Sequence, residues 1–145
     1  MRLLLERGDV DSNSPNSNGQ TPLSFAAEGG CEGVVRLLLK RGDVDNSPDG
    51  NGRTPLSLAA KQGHRGVPVV RVLLERGDVD PNSPDENGRT PLSFASEKGH
   101  EDIVWLLLKG GGVNPNSPDG NGRTPLSLAW RGARSGVPAV CSLAT

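Results

Sequence analysis

A chain of 145 residues has room for one globular domain or one short stacked array. Its hydrophobic fraction of 33% and aromatic fraction of 3% are low for a single large hydrophobic core. Its 20 glycines and 12 prolines recur at fixed places, where they separate one secondary-structure element from the next. A formal net charge of −1 excludes a global field that would recruit nucleic acid or an acidic membrane. The apolar run within residues 1–7 is too short for a signal peptide or a membrane span, so we expect an intracellular, reducing location, cytoplasmic or nuclear.

The tetrapeptide Thr-Pro-Leu-Ser occurs four times, beginning at Thr21, Thr54, Thr90 and Thr124. The spacings between these starts are 33, 36 and 34 residues. A period in the low thirties predicts an architecture of stacked repeats. Such arrays usually present an extended surface to another macromolecule rather than a catalytic cleft.

Each Thr-Pro pair predicts the start of a helix, because Thr caps the first turn and Pro at the first helical position loses no hydrogen bond. Glycine then ends the helix, so each unit is predicted to contain a hairpin-like loop and two short antiparallel helices. Helices of this length are marginal alone in water and must cover one another by stacking. In chain order, we predict helices at 22–29, 32–41, 55–62, 68–76, 91–98 and 101–109.

The third unit shows the pattern most completely. Residues 88–109 read Gly-Arg-Thr-Pro-Leu-Ser-Phe-Ala-Ser-Glu-Lys-Gly-His-Glu-Asp-Ile-Val-Trp-Leu-Leu-Leu-Lys, and this stretch resembles the ankyrin repeat. The resemblance extends over essentially the whole chain and implies an all-α ankyrin-repeat solenoid, in which helix-turn-helix units are joined by hairpin-like loops. The loop pattern Asn-Ser-Pro-Asp-x-Asn-Gly-Arg is similar to that of the long, near-identical ankyrin arrays of filamentous fungi.

The repeats make residues 1–145 a single array that begins in the middle of a unit. Because neither end carries a polar capping repeat, we interpret the chain as a piece of a longer array or the product of a truncated or drifted gene. Alternatively, the flanking half-repeats act as makeshift caps. The predicted divisions are a partial repeat at 1–8, repeats at 9–42, 43–77 and 78–111, and a degenerate, truncated repeat at 112–145.

The fourth unit departs from the pattern after Ala129. Trp130 takes the place of Ala27, Ala60 and Ser96, where small side chains let neighbouring helices approach each other. An indole at that place is tolerated mainly at an end of a stack. We therefore expect residues 130–145 to be less well ordered than residues 88–111, since their burial would not offset the chain entropy.

Arginine recurs at one repeat position, as Arg53, Arg89 and Arg123, with Gln20 in the first unit. By resemblance, this position lies at the edge of the concave ankyrin face, where three guanidiniums in a row would suit an acidic peptide. Alternatively, the guanidiniums are solvated or bonded to neighbouring loop carbonyls. The resemblance implies partner contacts at loop tips and first helices, with these candidate residues: Ser17, Gln20, Glu28, Gly50, Asn51, Arg53, Lys61, Glu86, Asn87, Arg89, Glu97, Gly120 and Arg123.

Motifs for metal, phosphate or nucleophile chemistry are incomplete. Residues 9–20 faintly match a calcium loop but lack its sixth-position glycine and its final glutamate. Residues 50–54 have arginine where a phosphate loop needs lysine. His64 and His100 open second helices without a set of further ligands, so we interpret them as structural. We expect no catalytic residue, no metal, no cofactor and no small-molecule ligand.

Three further side chains stand out from the repeat pattern. Cys31 and Cys141 lie far apart in a linear stack, so we expect reduced thiols that are buried or semi-buried. Trp105 takes the outward helix position of Arg36 and Arg71, where it is either a contact residue or a tolerated substitution on the surface.

These features predict a non-enzymatic module that binds another protein through its loop tips and its concave helix face. An alternative function is that of a regulatory or sensor array, belonging to a larger nucleotide-binding or enzymatic protein whose catalytic part lies outside this chain. A third interpretation is a structural fragment without a function of its own.

Overall fold

The computed structural model describes residues 13–42, 44, 46–76, 79–110 and 112–134, with His64 and residues 131–134 described by their backbone alone. These residues contain helices and loops but no strand. None of the helices in these ranges is long and apolar enough to cross a bilayer. The seven α-helices of the described residues are α1 (Pro22–Glu28), α2 (Glu32–Lys40), α3 (Pro55–Lys61), α4 (Val67–Leu74), α5 (Pro91–Lys98), α6 (Glu101–Lys109) and α7 (Pro125–Arg134).

Helices α1, α3, α5 and α7 begin as the Thr-Pro pairs predict. In α5, the Thr90 hydroxyl oxygen accepts the backbone N–H of Ser93 at 3.3 Å, and Pro91 occupies the start of the helix. The threonine therefore satisfies one of the N–H groups that the first turn leaves without a helical partner. The same bond recurs at 3.2 Å in the other three units, from Ser24 to Thr21, Ser57 to Thr54 and Ser127 to Thr124.

The predicted helix bounds agree with the structure except around the second unit. Helices α5 and α6 have the predicted bounds, and α1, α2 and α3 end one residue earlier than predicted. Helix α4, predicted at 68–76, starts one residue earlier and ends two residues earlier. A 3-10 helix at Gly63–Gly66 precedes α4 and was not predicted. A Cβ on Gly66 would lie 1.9 Å from the carbonyl oxygen of Ala59, so glycine allows this turn to pack directly against the backbone of α3.

No helix bounds were predicted for the fourth unit, where the repeat pattern fails after Ala129. Helix α7 nevertheless continues past Ala129 to Arg134. In the first three units, glycines with positive φ end the first helix. The equivalent residue of the fourth unit is Ala133, which favours continued helix instead of a left-handed turn. The predicted low order of residues 130–145 mostly concerns positions outside the described residues, as does Cys141.

The helices form two rows. First helices stack in the order α1, α3, α5 and α7, and second helices stack in the order α2, α4 and α6. Side chains from both rows join in one continuous apolar core, which includes Leu23, Leu38, Leu73 and Leu107. The positions predicted to need small side chains are buried: Ala27, Ala60 and Ser96.

Replacement of Leu107 by alanine should lower the free energy of unfolding by about 2–5 kcal/mol, because Leu107 is fully buried between units. The matched control is Trp105→Ala, two positions earlier on α6, where the side chain is exposed and the expected change is within about 0.5 kcal/mol. Urea midpoints of the two variants measure the difference. Equal midpoints would contradict the assignment of the buried face of α6.

Candidate interaction surface

Each hairpin is organised around one side chain near its start. In the third unit, Oδ1 of Asp85 accepts the backbone N–H groups of Asn87 at 2.8 Å and Arg89 at 2.9 Å. Asn16 makes the equivalent bonds in the first unit, from the N–H groups of Asn18 at 2.9 Å and Gln20 at 3.0 Å. Side chains that hydrogen-bond their own backbone in this way hold a turn in one conformation. Asp49 and Asp119 do the same in the second and fourth hairpins.

The second oxygen of these carboxylates pairs with the arginine that was expected to meet a partner. The Asp85 side chain is only 1% exposed, and its Oδ2 lies 3.2 Å from Nη2 of Arg89. The Arg89 guanidinium also lies 4.5 Å from the centre of the Phe94 ring, a cation–π contact. The row of arginines is therefore tied to its own loops and is neither simply solvated nor bonded to carbonyls. The other two pairs are Arg53 with Asp49 and Arg123 with Asp119, each at 2.8 Å.

Hydrogen bonds to the carboxylate lower the pKa of the aspartates in the second and fourth hairpins. Burial by itself would raise the pKa of the Asp49 carboxyl. The N–H groups of Arg53 and Asn51 and the Arg53 guanidinium outweigh that effect, and the pKa of Asp49 lies below its usual value. The same balance lowers the pKa of Asp119, where burial is opposed by the N–H groups of Arg123 and Asn121 and then by the Arg123 side chain.

Successive hairpin tips are joined by backbone hydrogen bonds. The N–H of Gly50 donates to the carbonyl oxygen of Asn18 at 2.9 Å, and Gly19 lies against the same place with φ of +76°. A Cβ on Gly19 would lie 2.6 Å from the Gly50 nitrogen, so only glycine lets the two tips approach this closely. Equivalent bonds link the later tips, from Glu86 to Asn51 at 3.0 Å and from Gly120 to Asn87 at 2.7 Å.

The structure places the predicted contact residues in two sets. One set lies on hairpin tips and is exposed: Ser17, Gly50, Asn51, Glu86, Asn87 and Gly120. The other set is partly or largely buried, at the bases of the hairpins or the ends of first helices: Gln20, Glu28, Arg53, Lys61, Arg89, Glu97 and Arg123.

A cleft of about 700 Å³ brings five of the predicted residues together between the first two tips. Gln20 lines this cleft, and its Nε2 donates to Oε2 of Glu28 at 2.7 Å. In the first unit, a neutral amide at the arginine position thus bonds the last residue of α1. The sequence analysis missed Asn16 and Asn18, which also line the cleft. Aligning them with Asp49 and Asn51 in the next repeat would have identified both.

The residues considered for other chemistry have structural surroundings. Nε2 of His100 lies 3.1 Å from the carbonyl oxygen of Lys61, a contact between neighbouring units that supports a structural role. The expectation of a buried or semi-buried Cys31 was wrong, since this thiol is exposed. Cys31 occupies the position of His100, but no described unit precedes it to cover the side chain. In the described residues, no group of three His, Cys, Asp or Glu side chains could hold a metal ion.

Comparison with known families agrees with this geometry. The family model described as ankyrin repeats (3 copies) matches residues 1–85 and 66–143. The chain belongs to the ankyrin repeat family. No curated protein matches the chain. Ankyrin repeats generally bind other proteins and are typically non-catalytic, which agrees with the interaction surface expected of the stack.

Family membership confirms the all-α ankyrin solenoid that the resemblance of residues 88–109 implied. The resemblance to fungal arrays, the division into units and the interpretation as a fragment stay predictions.

Replacement of Arg89 by alanine should cost about 1–3 kcal/mol of stability, because it leaves the buried Asp85 carboxylate without its guanidinium and uncovers Phe94. The control is Arg36→Ala, which breaks a pair of the same i,i+4 spacing between exposed side chains. The control should cost at most about 1 kcal/mol. Urea unfolding compares the two variants, and an equal loss in both would contradict the structural role of the Asp85–Arg89 pair.

Stability should fall in acid, because the pKa of Asp49 and of Asp119 is lowered by folding. The stability that these two carboxylates contribute is fully present above the pKa of an aspartate in the unfolded chain, about 3.9. It is lost as the pH falls through their lower pKa in the folded state. Asn16 makes the same backbone bonds with a neutral side chain. The double variant Asp49→Asn and Asp119→Asn should therefore fold and lose less stability between pH 7 and pH 3. An unchanged pH dependence in urea unfolding would exclude these two carboxylates as its source.

Proposed function

We propose that this chain is a non-enzymatic interaction module that binds a partner protein through its hairpin tips and the adjacent ends of its first helices. The proposed contact residues are those predicted from the repeat pattern, at the tips and at the bases of the hairpins. Asn16 and Asn18 join them, because they line the cleft between the first two tips.

The hydrogen-bonded row of tips is the observation that carries this proposal. Every tip is fixed twice, by a side chain within its own loop and by a backbone bond to the neighbouring tip. Because the loops are already ordered, a partner would not have to order them on binding, and this lowers the entropic cost of association. A row of rigid, exposed loops is thus suited to recognising one extended segment across several repeats.

The ion pairs at the hairpin bases indicate the chemistry of that segment. Each of Arg53, Arg89 and Arg123 has its charge compensated by an aspartate in the same loop. An acidic peptide would have to compete with these carboxylates, so the arginines supply little net attraction for it. Apart from the single carboxylate of Glu86, the tips offer exposed carboxamide and hydroxyl groups, including those of Ser17, Asn51 and Asn87. The proposed partner segment is polar, weakly charged and recognised mainly by hydrogen bonds.

A selection experiment tests this proposal. A random peptide library displayed on phage is panned against the immobilised chain, and the recovered peptides are titrated by calorimetry. The double variant Asn51→Ala and Asn87→Ala removes two exposed tip side chains but keeps the backbone bonds between tips. We expect it to weaken binding at least about tenfold, as loss of central contacts does.

The control variant is Arg71→Ala with Trp105→Ala, on the outer side of the second helices, where both side chains are exposed. It should leave binding unchanged. If the control weakens binding and the tip variant does not, the binding face is the outer side and the proposal is wrong. If the selected peptides are acidic and their binding falls steeply with salt, the arginines attract them and the proposed partner chemistry is wrong.

A further inference from the structure

The first helices use two opposite faces for stacking. With 100° between successive residues, Leu23 and Ala27 lie on one side of α1 and Phe25 points to the other side. The repeat places equivalent residues on α3, α5 and α7, which stack in that order. Leu126 is exposed on α7, which has no described unit after it, and Phe25 is exposed on α1, which has no described first helix before it. The Leu and Ala side of each first helix therefore faces the following unit, and the Phe or Leu side faces the preceding unit.

On α7, the side that would face a following unit is exposed. Leu126 is 49% exposed, although its equivalents Leu23, Leu56 and Leu92 are buried. Trp130 is 59% exposed on the same side of the helix, one turn later. No described residue covers these two side chains, so they form an apolar patch at the C-terminal side of the described stack.

On α1, the opposite side is exposed. Phe25 is 63% exposed, whereas the equivalent residues Leu58, Phe94 and Leu128 are buried. Successive first helices form the same contact three times within the described stack. Helix α7 exposes one side of that contact and α1 exposes the other side.

The hairpins show the same opening independently. A Cβ on Gly19, Gly52 or Gly88 would lie within 2.9 Å of the next tip. At Gly122, the equivalent glycine of the fourth hairpin, no described atom beyond its own chain neighbours lies within 4 Å of the same position. Both the helix and the hairpin of the fourth unit therefore present an unfilled stacking surface.

We propose that this surface binds a second copy of the chain, head to tail, with Phe25 of one copy packed against Leu126 and Trp130 of the other. In the three described junctions, the matching face belongs to the first helix of the following unit. On a second copy, Phe25 of α1 presents that face and is exposed. Trp130 is larger than the Ala27, Ala60 or Ser96 that it replaces. A junction between copies has no covalent loop to fix its spacing, so it can open to admit the indole.

Head-to-tail contacts join two different faces, so they leave one free face at each end of an assembly unless the rotation between copies closes a ring. The assemblies therefore grow by addition of further copies instead of closing as symmetric dimers. A formal net charge of −1 gives little electrostatic repulsion between copies. This contact uses the two ends of the stack, so it shares only the terminal hairpins with the row of tips proposed to bind a partner.

Two charged substitutions test the proposal by blocking one face each. Phe25→Glu blocks the α1 face and Leu126→Glu blocks the α7 face, and both residues are exposed, so both variants should fold. In sedimentation velocity, we expect the unmodified chain to form a series of oligomers that lengthens with concentration. Each variant alone should remain a monomer. An equimolar mixture of the two should form a dimer and nothing larger, because it retains one pair of compatible faces.

Fluorescence gives a second readout of the same contact. With Trp105→Phe, Trp130 is the only indole, and its emission should shift to shorter wavelength as the concentration rises. With Trp130→Phe, the remaining Trp105 should show no shift, although its exposed fraction of 58% is nearly the same.

Four results would overturn the proposal. They are a monomeric unmodified chain at its solubility limit, a monomeric mixture of the two folded variants, self-association of either variant alone, and an emission shift confined to Trp105. Self-association of Phe25→Glu alone would specifically indicate a symmetric contact between two α7 faces. Thermal unfolding of each variant establishes that it is folded, and Phe25→Ser with Leu126→Ser provides a second pair if a glutamate variant is not.

Discussion

Burial of aliphatic side chains between neighbouring repeats is the interaction on which this structure depends. The α-helices have seven to ten residues, a length at which an isolated helix is marginal in water. Each buried Leu or Val stabilises the fold by about 1.5–3 kcal/mol, but only where a neighbouring unit covers it. The stability of each unit therefore depends on its neighbours. At the ends of the described stack, Phe25 and Leu126 are exposed because no described unit packs against them.

The hairpin aspartates connect this stacking to the proposed binding surface. Asp85 bonds its own backbone with one oxygen and Arg89 with the other, and the loop that it fixes donates to the neighbouring tip. A buried carboxylate would be costly alone, and here it is stabilised by N–H groups and a guanidinium. The arginines that looked like binding residues in the sequence therefore serve the loop first, and exposed amide side chains are left for a partner.

Two surfaces with different chemistry result from one repeated unit. The tips are polar, rigid and lie along the length of the stack, as recognition of an extended segment requires. The faces at α1 and α7 are apolar, and each is one half of the contact that already joins the repeats. Recognition of a partner and stacking between copies can thus occur together, because the two surfaces lie on different sides of the repeat.

The sequence by itself determined the repeat, most helix starts, and most helix ends to within one residue. These features depend on local chemistry: the capping Thr, the Pro after it and the glycines that adopt positive φ. It also identified the tip positions, since every unit repeats them. Tertiary structure alone decided which charges are free, because the fold of the loop pairs Arg89 with Asp85, whose side chain is buried. Tertiary packing also decided the 3-10 turn at Gly63–Gly66, which lies against the backbone of α3. It decided the exposure of Phe25 and Leu126 as well. A side chain is covered only where a neighbouring unit packs against it, and the local sequence does not specify that contact.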